Sequence, residues 1–405
     1  MINTIDLFAG CGGLMEGFEK EGSYRTLSCV EWEKAPCINI INRLKTKWGH
    51  QNAEEEVLRF DIQRTQELFL GYDDIEYGKH KGLDELIGNN TVDVIIGGPP
   101  CQAYSLAGRI RDENGMRNDY RNYLFESYVK VVQHFKPRLF VFENVQGMLS
   151  AMPDGTPIVD KIKESFERIG YITIENFKDA IFNLPEYGVP QNRKRIIILG
   201  VSQKEYGDKA NNIIQEFYNT IMPKYKVEKR MTVREAIFDL PRLYPLDKEY
   251  KEKGVKFSHS LCNDKHIYNH VPRYHNKRDI KIFQILAEDI ESGRNKYRNT
   301  ESLKQLYKKT TGKESNVHKY YVLRWNEQSN TIPAHLYKDG LRHIHPDSKQ
   351  ARTLTVREAA RLQTFEDDYE FIGSRMNQYK MIGNAVPPKF SLILAKAVKE
   401  IFSNF

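Results

Sequence analysis

The segment Val92-Asp-Val-Ile-Ile-Gly-Gly-Pro-Pro-Cys-Gln-Ala-Tyr-Ser105 decides how this chain is interpreted. Residues 92–96 are mostly apolar and β-branched, and two glycines follow them, which is the pattern of a buried parallel strand and a tight turn. Cys101 therefore lies just past the carboxyl end of a strand, where ligands bind in open α/β sheets. An isolated cysteine is more simply explained as a small buried side chain. Two prolines before Cys101 and a polar segment after it favour a thiol held toward a ligand.

The composition predicts a globular protein with more than one core. The chain has 405 residues, of which 40% are hydrophobic, and this is enough for a large domain and a smaller one. No apolar run approaches the roughly 20 residues that span a bilayer. The N-terminus lacks the features of a signal peptide, so we expect a soluble, cytoplasmic protein. Five cysteines without C-x-x-C spacing indicate free thiols and no metal site.

The positive charge is concentrated in one part of the chain. Residues 201–350 contain 29 Lys and Arg against 19 Asp and Glu, and eight of the 11 histidines, although the whole chain carries only +7. This distribution favours a polyanionic partner for that part. A solvated lysine-rich surface explains the same numbers, and charge alone does not decide between the two.

The N-terminal third alternates apolar segments with glycine turns or acids. Thr4–Phe8 is predicted to be a strand, and 9–13 a glycine turn into a helix, where free backbone amides can meet a ligand. The second strand ends in Glu31-Trp32, an acid suited to ribose hydroxyls and an indole suited to adenine. Phe60-Asp61-Ile62 repeats this arrangement one unit later. Each feature alone is compatible with ordinary packing or a surface acid.

The segments after Cys101 suggest a lid and further strands. The polar, basic residues 106–121 are predicted to form a mobile loop beside the thiol, and a helix over about 122–135 is predicted from its single apolar face. The strand 137–142 ends in Glu143, which would place a general acid at the sheet edge that holds Cys101. The segment 191–195 leads into the strand 196–201 with two arginines at i and i+2.

The basic section beginning near residue 202 gives weaker signals. Its densest part, 251–278, interleaves lysines and arginines with aromatics, as in many nucleic-acid-binding surfaces and in many surfaces that bind nothing. One cysteine among candidate ligands at 259, 262 and 266 is poor zinc spacing, and we predict no metal. Thr232 and Thr355 each begin a Thr-Val-Arg-Glu-Ala segment, which predicts two capping boxes.

Six segments in order resemble motifs of the cytosine-C5 DNA methyltransferase family. They are 6–13, 98–102, 143–145, 191–195, 352–363 and 382–388. The only departure is the small one at Ala103-Tyr104. The resemblance implies a doubly wound α/β, Rossmann-like S-adenosylmethionine-dependent methyltransferase domain with a smaller inserted target-recognition domain. It implies a catalytic and cofactor-binding domain over 1–202, a target-recognition domain and hinge over 203–370, and a C-terminal return over 371–405.

The resemblance also assigns roles to individual residues. The expected catalytic residues are Cys101, Glu143, Arg193 and Arg195. The expected S-adenosyl-L-methionine site comprises Phe8, Gly10, Gly12, Gly13, Glu31, Trp32, Asp61, Ile62, Gly98, Pro100, Leu124, Asn384 and Val386. Near the thiol, the expected DNA contacts are Gln102, Ser105, Arg109, Arg111, Arg117 and Arg121. In the basic section, where the family has no shared sequence pattern, the interleaving of basic and aromatic residues indicates Lys256, Arg273, Lys277 and Arg278.

The implied reaction is methyl transfer to C5 of a cytosine flipped out of duplex DNA. Cys101 attacks C6, Glu143 acts at N3 and Arg195 holds the carbonyl oxygen. We expect a monomer and, as in bacterial restriction-modification systems, a cognate endonuclease acting on the same site. Two alternatives are a tRNA cytosine methyltransferase and a non-catalytic DNA-binding regulator. The long basic insert argues against the first, and the complete set of Cys101, Glu143 and Arg195 argues against the second.

Overall fold

The computed structural model describes residues 1–100, 124–153, 155–262, 264, 266–314 and 319–405. The chain divides into two compact units. Unit 1 comprises residues 1–187, 193–228 and 385–405, and unit 2 comprises residues 188–192 and 229–384. Unit 1 is thus assembled from both ends of the chain. The functional assignment of the segments 1–202, 203–370 and 371–405 stays a prediction.

A central eight-stranded sheet organises unit 1, in the order β3-β2-β1-β6-β7-β10-β8, with β9 paired to β10. A separate hairpin is formed by β4 and β5. The strands are β1 Ile2–Leu7, β2 Tyr24–Glu31, β3 Val57–Arg59, β4 Gly71–Asp74, β5 Gly78–Lys81, β6 Val94–Gly97, β7 Leu139–Val145, β8 Tyr171–Ile172, β9 Ile181–Asn183 and β10 Lys194–Ser202.

The order of the strands reverses between β1 and β6, which places a crevice at the carboxyl edge of the sheet. β1 pairs in parallel with both β2 and β6, and β6 pairs in parallel with β7. Chain order therefore runs outward in both directions from the β1–β6 pair, and ligands of open α/β sheets bind at such a switch point. β10 then runs antiparallel to β7. The predicted α/β fold with a central sheet is confirmed.

Helices cover the sheet of unit 1 and bury its apolar faces. They are α1 Gly13–Glu21, α2 Lys34–Thr46, α3 Ala53–Glu56, α4 Thr65–Leu70, α5 Leu83–Ile87, α6 Leu124–Phe135, α7 Ile158–Arg168, α8 Gln203–Tyr206, α9 Lys209–Glu216, α10 Met222–Lys224 and α16 Pro388–Asn404. The apolar face predicted for α6 packs inward, and the hydroxyl of its Tyr128 lies 3.0 Å from the Ile95 carbonyl oxygen. No helix in these residue ranges is long and apolar enough to cross a membrane.

The C-terminal helix α16 packs closely against α1. A Cβ atom added at Gly17 would lie 2.3 Å from the backbone nitrogen of Leu392, so only a glycine lets the two helices approach this far. The Tyr24 hydroxyl donates to the Ala395 carbonyl oxygen at 2.7 Å. Residues 385–405 are therefore an integral part of unit 1.

Unit 2 has five α-helices and one hairpin among its described residues, joined by long irregular segments. Its elements are α11 Val233–Ile237, β11 Pro245–Glu252, β12 Val255–His259, α12 Lys277–Glu291, α13 Thr300–Thr311, α14 Val356–Leu362 and α15 Arg375–Asn384. A buried apolar cluster joins α12 and α13 with Val322, Ile344 and Ala351. The two predicted capping boxes are confirmed, because Thr232 and Thr355 each exchange hydrogen bonds with the glutamate three residues later.

A buried polar network lies beneath α14. Arg352 and Glu358 are almost fully buried and form a bidentate ion pair. Arg352 Nη2 donates to Glu358 Oε1 at 2.6 Å, and Nη1 donates to Oε2 at 2.7 Å. Histidines 259, 270, 275, 343 and 345 are also buried in unit 2. Burial lowers the pKa of each of them, to about 4 for His259 and His343. These five histidines are neutral near pH 7, so they add no positive charge to the section.

Candidate active site

The carboxyl edge of the central sheet brings together an acid, an arginine and the segment that leads to Cys101. Gly97, at the end of β6, pairs with Phe142, so Glu143 lies one residue further along at the level of Gly98. A Cβ atom added at Gly98 would lie 2.6 Å from Glu143 Oε2. Gly98 therefore lets the Glu143 carboxylate approach the backbone that precedes Pro99, Pro100 and Cys101.

Arg195 reaches Glu143 from the neighbouring strand. Its Nε lies 2.7 Å from Glu143 Oε1, and both side chains are 12% exposed. Glu143 is in β7 and pairs with Ile197 of β10, which places Arg195 two residues away on the same face. The Arg195 Nη1 group donates to the Lys194 carbonyl oxygen at 2.8 Å. Glu143 as a whole is buried at the sheet edge, at 9% exposed.

Arg193 and Asn144 support this edge. Arg193 is buried and its Nη2 donates to the Ala385 carbonyl oxygen at 3.0 Å, which ties β10 to the C-terminal segment. Asn144 Nδ2 lies 3.5 Å from the Pro99 carbonyl oxygen, a long contact that connects β7 to the segment before Cys101. Asn144 was not predicted as a site residue. Its position directly after Glu143 is the signal that could have identified it.

Cys101 lies outside the described residues, and so do six of the predicted DNA contacts. These six are Gln102, Ser105, Arg109, Arg111, Arg117 and Arg121. Pro100, the residue before Cys101, and Leu124 bound this part of the chain, and Leu124 is buried at the start of α6. The roles of all these residues stay predictions.

The glycine loop follows β1 at the switch point. Phe8 and Gly10 have positive φ values of 57° and 56°, and Gly12 caps α1 with φ 78°. An added Cβ atom at Gly10 would meet no atom within 4 Å. At Gly13 it would lie 2.4 Å from the Val386 carbonyl oxygen. The loop therefore presents open space at Gly10 and close backbone packing at Gly13, where Val386 of the C-terminal segment is brought against it.

Glu31 is fixed at the end of β2 beside this loop. Its Oε2 accepts from the Gly10 backbone N–H at 2.8 Å and its Oε1 from Glu33 N–H at 2.7 Å. Each carboxylate oxygen retains a second lone pair for a ligand hydroxyl. Burial raises the Glu31 pKa to about 7, although the backbone hydrogen bonds lower it.

The predicted cofactor residues Trp32, Asp61 and Ile62 follow the ends of β2 and β3. Trp32 is 51% exposed and hydrogen-bonds to Tyr77 of the β4–β5 connection, a residue that was not predicted. Asp61 Oδ1 accepts from Gln63 N–H at 3.0 Å, and Ile62 is buried. No local pattern in the sequence connects Tyr77 with Trp32, because 45 positions separate them.

Asp6 was also missed as an individual site residue. It is fully buried in β1, its Oδ2 accepts from Met15 N–H at 3.2 Å, and its Oδ1 has no hydrogen-bond partner among the described residues. Burial raises the Asp6 pKa well above its usual value. An acid inside an otherwise apolar strand was the signal available in the sequence.

The remaining predicted residues lie in unit 2. Asn384 ends α15 and is exposed. Lys277 is exposed at the start of α12, and Lys256 places its Nζ 5.6 Å from the Tyr274 ring centroid. Arg278 pairs with Asp279 at 2.7 Å. Arg273, in contrast, is buried and donates to the Leu336 and Tyr337 carbonyl oxygens, so a contact with DNA would compete with these bonds.

Comparisons with known proteins give consistent results over the whole chain. The model of a family described as C-5 cytosine-specific DNA methylase matches residues 2–400. The type II methyltransferase M.Bpa9945I of Bacillus paralicheniformis is 35% identical over 99% of both chains. M.DdeI of Desulfomicrobium norvegicum, another type II methyltransferase, is 31% identical over 100% of this chain and 90% of its own.

Two solved structures share the fold. A DNA modification methyltransferase encoded within an E. coli prophage has a TM-score of 0.66 at 20% identity, with both chains fully covered. The Dnmt2 methyltransferase of S. pombe has a TM-score of 0.54 at 16% identity, also with full coverage.

Proposed function

We propose how this chain, which belongs to the C-5 cytosine-specific DNA methylase family and is a DNA (cytosine-5)-methyltransferase, carries out its reaction. In this proposal, Cys101, Glu143 and Arg195 carry out covalent catalysis on a flipped cytosine. The observation that carries this proposal is the Glu143–Arg195 pair, which meets the Gly98 backbone three residues before Cys101. A cytosine ring between these groups would present C6 to the thiol, N3 to the carboxyl group and its carbonyl oxygen to the guanidinium.

The chain's residues would activate a carbon that is not itself nucleophilic. The Cys101 thiolate forms a bond to C6, and the displaced electron pair makes C5 electron-rich while Glu143 protonates or hydrogen-bonds N3. Arg195 donates to the carbonyl oxygen and stabilises its developing negative charge. After C5 has been methylated, it loses its proton to a base, the S–C6 bond breaks, and Cys101 leaves as the thiolate.

Arg195 also keeps Glu143 oriented before the base arrives. An ion pair at 2.7 Å fixes the direction of the carboxyl group, and a side chain that is already fixed loses less entropy in the transition state. The attack itself needs a thiolate, whereas a free cysteine has a pKa of about 8.5. We propose that arginines near Cys101 lower this value.

The glycine-loop side of the switch point fits S-adenosyl-L-methionine. We propose that Glu31 accepts the ribose hydroxyls, that Trp32 and Ile62 contact adenine, and that Asp61 accepts from its exocyclic amine. Open space at Gly10 and the spare lone pairs of Glu31 support this assignment. When bound, S-adenosyl-L-methionine supplies an electrophilic methyl group on a sulfonium.

Double-stranded DNA is the proposed substrate. Its target base must leave the stack at a cost of a few kcal/mol. We propose that the basic residues of 106–121 and of unit 2 bind the phosphates, which adds salt-dependent affinity. Because M.Bpa9945I and M.DdeI are type II methyltransferases, we propose a role in a restriction-modification system beside an endonuclease of the same specificity.

The test follows a labelled methyl group from S-adenosyl-L-methionine into duplex DNA and tRNA in parallel. Bisulfite sequencing then locates the product. Label at C5 of cytosines within one short duplex motif supports the proposal and gives the recognition site. Label only in tRNA would replace DNA with RNA as the substrate, and label in neither would favour a regulator that keeps the fold without catalysis.

A further inference from the structure

Unit 2 contains a cavity of about 550 Å³. Its walls come from the N-terminal half of α12, from α13, and from residues 319–341. The volume is within the range of sites that hold small molecules. The cavity belongs entirely to unit 2, because every lining residue lies between positions 273 and 375.

Five of the 14 residues that line the cavity are aromatic. They are Tyr274, Phe283, Tyr307, Tyr320 and Tyr337. Tyr307 and Tyr320 also pack against the buried cluster of unit 2, and the rings of Phe283 and Tyr320 meet edge to face at 6.2 Å. The core therefore fixes the rings of Phe283, Tyr307 and Tyr320 before any ligand arrives. Fixed aromatic rings stack with heterocyclic bases at little entropic cost.

The charges around the cavity favour an anion. Five basic side chains line it against two acidic ones. Arg278 and Asp279 neutralise each other at 2.7 Å, and Asp339 accepts from the Leu341 backbone N–H at 3.0 Å. Lys319, Lys338 and Arg375 are exposed and have no ion-pair partner within the described ranges. These three cations are available to a phosphate.

Arg273 gives one wall its rigidity. The guanidinium donates to the backbone of Leu336 and Tyr337, and it lies 4.2 Å from the Tyr379 ring centroid. Its Nε has no hydrogen-bond partner in the described part of the chain, although the side chain is only 8% exposed. Arg273 thus anchors the Tyr337 wall and keeps one buried donor unused beside the cavity.

We propose that this cavity binds a single nucleotide, with its base stacked among the tyrosines and its phosphate held by Lys319, Lys338 and Arg375. The nucleotide can come from a strand of DNA, displaced from the stack, or from the pool of free mononucleotides. The first source rests on the proposed action on duplex DNA, whereas the second is independent of it. Neither source involves the target cytosine or the cofactor, because none of the residues proposed to hold them lines this cavity.

The first experiment titrates the whole protein by calorimetry with the four deoxynucleoside 5′-monophosphates. Saturating S-adenosylhomocysteine occupies the proposed cofactor site. We expect one site per chain, with binding at least about tenfold weaker for the matching deoxynucleosides, since a charge-assisted contact contributes about 1.5–3 kcal/mol. Binding that inorganic phosphate reproduces fully, or no saturable binding of mononucleotides or of the bulged duplex described below, would overturn the proposal.

Matched variants locate the binding. Lys338→Glu should weaken mononucleotide binding at least about tenfold, whereas Lys281→Glu, the same change at an exposed residue of α12 that does not line the cavity, should leave it unchanged. Tyr320→Phe should retain binding and Tyr320→Leu should lose it. If Tyr320→Leu fails to fold, the comparison of Lys338→Glu with Lys281→Glu still tests whether the cavity binds the nucleotide. Equal effects of these two variants on binding would refute the assignment.

A second arm separates the two sources of the nucleotide. Fluorescence anisotropy compares a duplex carrying one bulged nucleotide with the same duplex carrying an abasic bulge. A preference for the bulged nucleotide that Lys338→Glu removes supports the DNA source, and mononucleotide binding without this preference supports the free-nucleotide source. Methyl transfer is measured on the same preparation, so that its absence together with intact nucleotide binding would refute the proposed function and leave this inference standing.

Discussion

Arg195 Nε lies 2.7 Å from Glu143 Oε1 across two antiparallel strands, and a Cβ atom at Gly98 would meet the other oxygen of the same carboxylate. One carboxylate oxygen is therefore held by a cation, while the other faces the backbone that leads to the proposed nucleophile. This geometry suits an acid whose direction must be set before it meets N3 of a cytosine.

Replacing Glu143 by Gln should lower kcat by about 10²-fold or more, because the amide keeps the shape but cannot transfer a proton. The KM for DNA should change little, since the carboxyl group is proposed to act in the transition state. The measurement is steady-state transfer of labelled methyl groups. Glu164→Gln on the exposed side of α7 is the control, and equal rates for the two variants would remove Glu143 from the mechanism.

Cys101→Ala should abolish methyl transfer and leave DNA binding largely intact, because the thiol is proposed to act only in the covalent step. Gel-shift titration measures binding and labelled transfer measures turnover. Cys262→Ala removes a thiol of unit 2 and should change neither. Turnover by the Cys101 variant at the wild-type rate would exclude covalent catalysis by this residue.

Gly13→Ala should destabilise unit 1 and weaken binding of S-adenosyl-L-methionine. The added methyl group would lie 2.4 Å from the Val386 carbonyl oxygen, so the glycine loop or the C-terminal segment must move. Overpacking of this kind costs about 1–3 kcal/mol. Thermal unfolding with and without the cofactor separates the two effects. Lys20→Ala on the exposed side of α1 is the control. Identical melting temperatures of the two variants would show that the segment containing Val386 moves away without a loss of stability.

Acid should destabilise unit 2 through its buried histidines. In the folded chain their pKa values lie below the usual 6.5, at about 4 for His343 and about 3 for His345. Between each of these values and pH 6.5, the unfolded chain therefore binds more protons than the folded chain. Stability is therefore present above pH 6.5 and falls as the pH drops toward 4, by about 1.4 kcal/mol per pH unit for each histidine.

Urea unfolding between pH 4.5 and 7.5 measures this slope. His343→Gln should reduce the slope of the unfolding free energy against pH by about 1.4 kcal/mol per pH unit, because it removes one buried titrating group. The exposed control His266→Gln should leave the slope unchanged. A slope that is the same for both variants would mean that His343 is already protonated in the folded chain.

Much of the fold was predictable because its signals are local. Apolar β-branched runs predicted the strands around Ile95 and Ile198, and glycine turns marked the carboxyl ends of β1 and β6. Since neighbouring parallel strands end at one edge, the pattern also predicted that Glu143 would lie at the sheet edge that holds Cys101. Family membership, predicted from six ordered motifs, is confirmed.

Burial and long-range pairing were not readable in the same way. The sequence showed a histidine-rich section, but not that His259 and His345 are buried and neutral near pH 7. Arg273 was assigned to DNA from its basic neighbourhood, whereas it binds carbonyl oxygens more than 60 positions away. Such contacts depend on how distant segments pack, which a periodic pattern does not encode.

The packing of α16 on α1 sets the order in which the molecule can mature. A ribosome that has made residues 1–228 has produced every strand of the central sheet, but not the segment that closes against Gly13 and Gly17. The nascent chain must hold an unfinished domain while residues 229–384 are synthesised, and residues 385–405 then complete it. A product truncated before residue 385 would therefore lack the segment that packs against Gly13 in the glycine loop.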